Sequence, residues 1–403
     1  MPHLVIAGGG FAGFWGALSA VRQAEALGRR PDTLITLINR DAYHGIRPRF
    51  YEAEVTSARV PLERWLTPLG IQVVTAEILE AEAVSRRLHL ARGRVMDYDA
   101  LILATGSSLS VPAVFGADRV FHVDTFTGAD VLHQHLRALA DTGFPTEASR
   151  TVAVIGAGLT GLEVVTALPE RLRALAPQAP EFAVHLIDRA TEVGLDYESE
   201  AGRYIRDRLR HLGIVVHAGQ EVVHHEGCVL RLKDGTVVPA ATVILATGLR
   251  ASPLAAAFSG PRDALGRLAV DDFLRLPEHP EVLAAGDVSW ARTDANRSAL
   301  MSCQHAIPQG KFAGHNAVNL LFGRDLVPYA QPRYNTCLDL GPEDALVTVG
   351  WERRLQTIGP DAKALKTEIL TRWIHPPADL DEALALAWPP LDRQPGGVPD
   401  GAD

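Results

Sequence analysis

The chain has 403 residues, more than the roughly 250 to 300 that a single hydrophobic core organises, so two or three domains are expected. Its 47% hydrophobic and 22% charged residues are a globular composition, which argues against a disordered or fibrous chain. A formal net charge of −9 repels polyphosphate backbones and removes nucleic acid from the expected partners, while three cysteines without a CxxC pair argue against a metal site and a local redox disulfide.

In chain order, the segment HLVIAGGGFAGFWGAL reads as an apolar strand running into a helix, with Gly8, Gly10 and Gly13 in G-x-G-x-x-G spacing at the junction. Gly8 permits the tight turn, Gly10 lets the backbone approach a pyrophosphate, and Gly13 with Ala17 lets the helix lie close to the strand. The helix N-terminus at Phe11 and Ala12 then faces the phosphates with free amides. A tight turn with no ligand is the alternative for one such motif alone. The next strand, TLITLINR, ends at Asn39 and Arg40, where such folds usually carry an acid for the ribose; Asn39 offers a neutral hydrogen-bonding group instead. YDALILATG follows, closing on Ala104, Thr105 and Gly106.

The same layout then returns. TVAVIGAGLTGLEVVTAL places Gly156, Gly158 and Gly161 between a second strand and helix, FAVHLID ends in Asp188, and ATVILATG closes on Thr247 and Gly248. Asp188 is the acid expected to take a ribose 2′-hydroxyl, although the adjacent Arg189 could serve a 2′-phosphate. Glu163 falls in the first turn of the second helix, where the helix dipole alone would favour a carboxylate. Proline and glycine cluster near Val111 to Gly116 and Ser252 to Gly266, as at domain crossings, so the second unit is expected to be inserted in the first. A strand-like VLAAGD run ending in Gly286 and Asp287 precedes a helix from about Gln304 to Leu321, which should return to the first domain. Tyr329 to Leu355 alternates in strand fashion, Asp361 to Trp373 reads as an amphipathic helix, and QPGGVPDGAD as a frayed tail.

Taken together, GGGFAG, YDALILATGS, GAGLTGLE, ILATG and AAGD resemble the two-dinucleotide-binding flavoprotein superfamily. LINRDAYHGIRPRFYEAEV and SCQHAIPQGKFAGHNAV are similar to segments of the type II NADH dehydrogenases. The resemblance implies an α/β fold of two Rossmann-like domains, for FAD and NAD(P)H, the second inserted in the first, plus a C-terminal α+β segment. The expected bounds are 1–112 and 265–326 for the FAD domain, 113–264 for the nicotinamide domain and 327–403 for an interface or membrane-associating segment. It also implies that Gly8, Gly10, Gly13 and Asn39 hold the adenosine half of FAD, Asp287 the ribityl chain, and Gly156, Gly158, Gly161 and Asp188 the NADH, with NADPH left open. Glu163 matches a glutamate close to the nicotinamide.

Function follows as an expectation: hydride passes from NADH to FAD, and electrons leave to a quinone-like acceptor near Gln304, His305, Gln309 and Lys311. His305 could protonate a reduced quinone or be structural, and Cys303 could touch flavin or be a small packed residue. Cys303 and Pro308 depart from the family's alanine and glutamine. Arg47 and Arg49, flanking Pro48, either meet an acidic substrate or are paired with Glu52 and Glu54. A soluble reductase of an acidic metabolite and a redox-sensing flavin and NAD binding protein are the other readings. Disulfide exchange lacks a cysteine pair, and sulfide oxidation is disfavoured because the second glycine turn carries Leu159 and Thr160. A cytoplasmic protein is expected, with peripheral contact to the inner membrane face through Lys363, Lys366, Arg372 and Trp373, or a homodimer, as further options.

Overall fold

The computed structural model describes residues 1–116, 120–179 and 181–390; the tail QPGGVPDGAD lies outside the described residues. Strand β1 (His3–Ala7) is a continuous apolar run buried on both faces, the pattern of a parallel sheet covered by helices on each side. It leads into α1 (Phe11–Ala26) and then β2 (Leu34–Asn39), β3 (Gln72–Thr75) and β4 (Ala100–Leu103). β1 pairs in parallel with β2 on one side and β4 on the other, and β2 with β3.

The second unit repeats this arrangement. After α2 (Phe126–Asp141), strand β5 (Thr151–Ile155) runs into α3 (Leu159–Leu175), followed by β6 (Ala183–Asp188), β7 (Val215–Ala218) and β8 (Thr242–Leu245). Its sheet is parallel throughout, in the order β7-β6-β5-β8. The chain then returns to the first sheet, where β9 (His279–Ala284) lies parallel beside β4, so the second unit interrupts the first.

Each unit also carries a three-stranded antiparallel meander, at Ile78–Glu82, Arg87–Leu90 and Arg94–Asp97 and at Val222–Glu226, Val229–Leu232 and Val237–Pro239. The sequence reading did not single these out. A two-stranded ribbon, Ser107–Leu109 against Leu249–Ala251, joins the two units directly after the ATG turns.

Helix α4 (Cys303–Leu321) packs lengthwise on α1 through glycines: a Cβ on Gly310 would collide with the Ala12 carbonyl oxygen, and one on Gly314 with that of Gly16. Strands β10 (Asn335–Asp339), β11 (Ala345–Val349) and β12 (Arg354–Ile358) then form an antiparallel sheet, followed by α5 (Gly359–Glu368). α5 turns Lys366 inward to near-complete burial, so this lysine is withdrawn from the lipid-facing role considered for it. Among the described residues no helix is long and apolar enough to cross a membrane.

Candidate functional site

The two glycine turns are close copies. Gly8 and Gly156 both adopt φ of +109°, a conformation that glycine alone reaches without strain. A Cβ on Gly13 would strike the Gly8 carbonyl oxygen, and one on Gly161 that of Gly156, which fixes each helix against its strand. By contrast, a Cβ on Gly10 or Gly158 would meet nothing within 4 Å. Both are N-caps in extended backbone, and neither helix start is closed by a side chain. Open space above uncapped amides fits a pyrophosphate in each turn.

The ends of the second strands brace these turns. Asn39 Oδ1 accepts the Gly9 amide at 2.9 Å while its Nδ2 donates to the carbonyls of Asp41 and Tyr43, so the amide group is spent on the loop; Arg40 is exposed. Asp188 accepts the Ala157 amide on Oδ2 and the Ala190 amide on Oδ1, each at 2.7 Å. His44, buried and stacked on Phe14, donates from Nδ1 to the Gly9 carbonyl oxygen, a support for the first turn that the sequence reading missed.

Within the first unit, Gly286 is wedged against Ala12 of α1 and Ala306 of α4. Its amide donates to Gln309 Oε1 at 2.6 Å, and the same oxygen accepts from Ser289 Oγ, so Gln309 holds the AAGD turn in place. Asp287 next to it accepts from Ser107 Oγ at 2.7 Å and pairs with Arg47 at 3.3 Å. Arg47 also binds Asp124, a residue absent from the sequence reading, whereas Arg49 pairs with Glu52 at 2.8 Å. α4 starts at Ser302 without a side-chain cap. At this end Ser302 Oγ and Gln304 Oε1, and in the ATG turn Thr105 Oγ1, are buried without a hydrogen-bond partner, as expected where a polar cofactor completes a site. Ala104 packs under Gly8, Gly106 and Gly248 take positive φ where the joining ribbon begins, and Thr247 lies beside Gly156. Pro48 is the middle residue of the short turn Arg47–Arg49, and Lys311 lies over the Trp15 ring at 4.4 Å.

Glu163 is buried and pairs with Lys366 Nζ at 2.6 Å, an attachment from the C-terminal helix that no local sequence signal announced. Burial pushes the Glu163 carboxyl above the ordinary carboxylate range, and the Lys366 cation opposes this. For Lys366 burial is the largest influence and acts downward, but Glu163, with smaller help from Cys337 and Asp339, holds the ammonium above its usual value. The Asp339 amide donates to Glu163 Oε1 at 3.2 Å, and the Asp339 carboxylate takes Tyr51 OH at 2.5 Å and Lys363 at 2.7 Å.

His305 stands apart from this network. It is 1% exposed, lies in a stack with Tyr334 and Trp351, and its Nδ1 meets Gln331 Oε1 at 3.1 Å. Burial pushes its imidazole down to about 4, so it is neutral at neutral pH and this geometry supports the structural alternative over proton donation. Cys303 is likewise pushed up to about 11 by burial, in keeping with a packed thiol.

The sequence model of the pyridine nucleotide-disulphide oxidoreductase family matches residues 2–310. An NADH dehydrogenase-like protein of Mycobacterium tuberculosis is 41% identical, covering 98% of this chain and 100% of that protein. A type II NADH:quinone oxidoreductase of Staphylococcus haemolyticus is 24% identical over 92% of this chain and 94% of its own. Among solved structures, the sulfide:quinone oxidoreductase of Aquifex aeolicus superposes with a TM-score of 0.77 at 18% identity, covering 97% of this chain and 93% of that one. A ferredoxin reductase of Rhodopseudomonas palustris gives 0.71 at 26% identity, covering 87% and 82%.

Proposed function

The chain belongs to the pyridine nucleotide-disulphide oxidoreductase family and is an FAD-dependent NADH oxidoreductase, and on that premise we propose that it delivers electrons to a quinone-like acceptor. Bound FAD supplies a ring that takes hydride from a reduced nicotinamide and releases electrons to a second substrate. The protein contributes position and charge. Gly8, Gly10 and Gly13 would hold the FAD pyrophosphate, and Asp287, fixed by Ser107 and Arg47, would hold its ribityl chain. Gly156, Gly158, Gly161 and Asp188 would hold NADH, the carboxylate favouring a free 2′-hydroxyl over a 2′-phosphate.

The observation that carries the acceptor is the buried Glu163–Lys366 pair. A quinone takes up protons as well as electrons, and Glu163 is a buried carboxyl whose proton affinity is raised by burial and opposed by Lys366. An acidic acceptor finds less support, because Arg47 is engaged by Asp124 and Asp287 and Arg49 by Glu52. Peripheral membrane contact or a homodimer remains part of this proposal only through the surface of the C-terminal segment.

The test is anaerobic reduction by NADH followed by stopped-flow mixing with menaquinone or ubiquinone analogues. Fast reoxidation by at least one quinone is the expected result. Slow reoxidation by all of them, with rapid turnover of a carboxylated substrate, would replace quinone by an acidic acceptor.

A further inference from the structure

Arg47 belongs to the first unit, and its guanidinium fork makes three contacts of different origin. Nη1 donates to Ser107 Oγ at 2.8 Å, where the joining ribbon begins, and to Asp287 Oδ2 at 3.3 Å in the AAGD turn. Nη2 donates to Asp124. Ser107 Oγ also falls on Oδ2 of Asp287, which leaves Oδ1 for a ribityl hydroxyl.

Asp124 is part of the second unit. The Phe121 amide donates to the Val243 carbonyl oxygen at 2.7 Å and the Leu245 amide to that of Phe121 at 2.8 Å, so the segment leading to Asp124 is sewn to β8. One residue beyond Asp124, Thr125 caps α2, its Oγ1 accepting the Gly128 amide at 3.0 Å. Asp124 is therefore pinned between β8 and α2, and β8 runs on to Thr247 beside Gly156. One guanidinium thus joins the acid proposed for the ribityl chain to the strand that ends at the second glycine turn. The Asp124 and Asp287 side chains are only 10% and 14% exposed, so solvent screens these pairs little. Other contacts across the seam specify less. The Arg137–Glu54 pair is exposed and contributes little. Phe50 and Arg59 pack on the Phe126 ring, which closes the seam but directs it less than a two-ended fork does.

We infer that Arg47 and Asp124 are positioning residues: the Asp124–Arg47–Asp287 bridge sets the separation of the two units at which hydride passes. The inference rests on the assignment of FAD to the first turn and NADH to the second, and not on the acceptor. Hydride transfer needs its atoms about 3–3.5 Å apart, and a misplacement of about 1 Å can cost roughly 100-fold, so the rate is sensitive to this spacing.

The test is anaerobic stopped-flow mixing of FAD-loaded wild type, Asp124→Ala and Arg47→Lys with excess NADH, before any acceptor is added. Asp124→Ala frees the seam and leaves Arg47 on Asp287, whereas Arg47→Lys keeps a cation and loses the fork. In each variant the limiting rate of flavin bleaching should fall roughly tenfold or more, with the NADH dissociation constant and the FAD content close to wild type. The long-wavelength charge-transfer absorbance of reduced flavin with NAD+ should weaken in parallel. Either variant carries the test alone if the other does not fold. Rate and absorbance unchanged in a variant that retains FAD, or a slowing explained wholly by lost FAD, would overturn the bridge and leave the assignment of the turns standing. A wild type that takes up no FAD, or is not bleached by NADH, would overturn that assignment and the bridge with it.

Discussion

Asp188 sends its two carboxylate oxygens to amides on either side of the second strand's end, so it both shapes the glycine turn and presents charge beside it. Hydrogen bonds to a charged group contribute about 1.5–3 kcal/mol, so Asp188→Ala should raise the KM for NADH by roughly 10- to 100-fold, measured by steady-state kinetics. Unchanged kinetics would remove it from the site. Glu163 and Lys366 make a different prediction. Lys366→Met leaves a carboxyl buried without its cation and should lower stability by about 3–5 kcal/mol, with much of this recovered in the Glu163→Gln, Lys366→Met double variant, as read from denaturant midpoints. Asp188 was legible because an acid ending the strand after a glycine turn has a local spacing. Lys366 was not, since it meets Glu163 across 203 residues, and its sequence neighbourhood reads only as a basic helix.

The most constrained element is the crossing of α1 and α4, where glycines bring the two backbones together and so hold Gly286 between Ala12 and Ala306. Gly310→Ala should push the helices apart, lower stability by about 1–3 kcal/mol and weaken FAD retention, followed by denaturation and by flavin absorbance after gel filtration. Full retention would show that the crossing does not position the flavin site. The strand and helix carrying each glycine turn were readable because a continuous apolar run, a glycine triplet and a helical period agree there. The meanders were not, for their strands are short and largely exposed, with little burial to impose a pattern. In α5 the apolar period was visible, but a period says nothing about a lysine such as Lys366 that is drawn inward by a distant carboxylate.

At the scale of the whole molecule, one mostly parallel and one fully parallel sheet carry equivalent glycine turns, and the joining ribbon links the two units. This architecture stood in the sequence as a duplicated motif, whereas the attachment of the C-terminal sheet and α5 to α3 had no such marker. Burial also sets the response to acid. His44 and His305 are each pushed down to about 4 from 6.5, so an unfolded chain takes up these protons first. The stability they contribute is complete above 6.5 and is lost as pH falls toward 4. The thermal midpoint should therefore fall across that window, less steeply in His305→Gln, and equal slopes would contradict the assignment. The central claim is that the two turns hold FAD and NADH so that hydride passes between them, and anaerobic addition of one equivalent of NADH to the purified protein tests it most directly. The account predicts a yellow protein whose flavin absorbance bleaches; a protein that takes up no FAD, or keeps its colour in the presence of NADH, would contradict it.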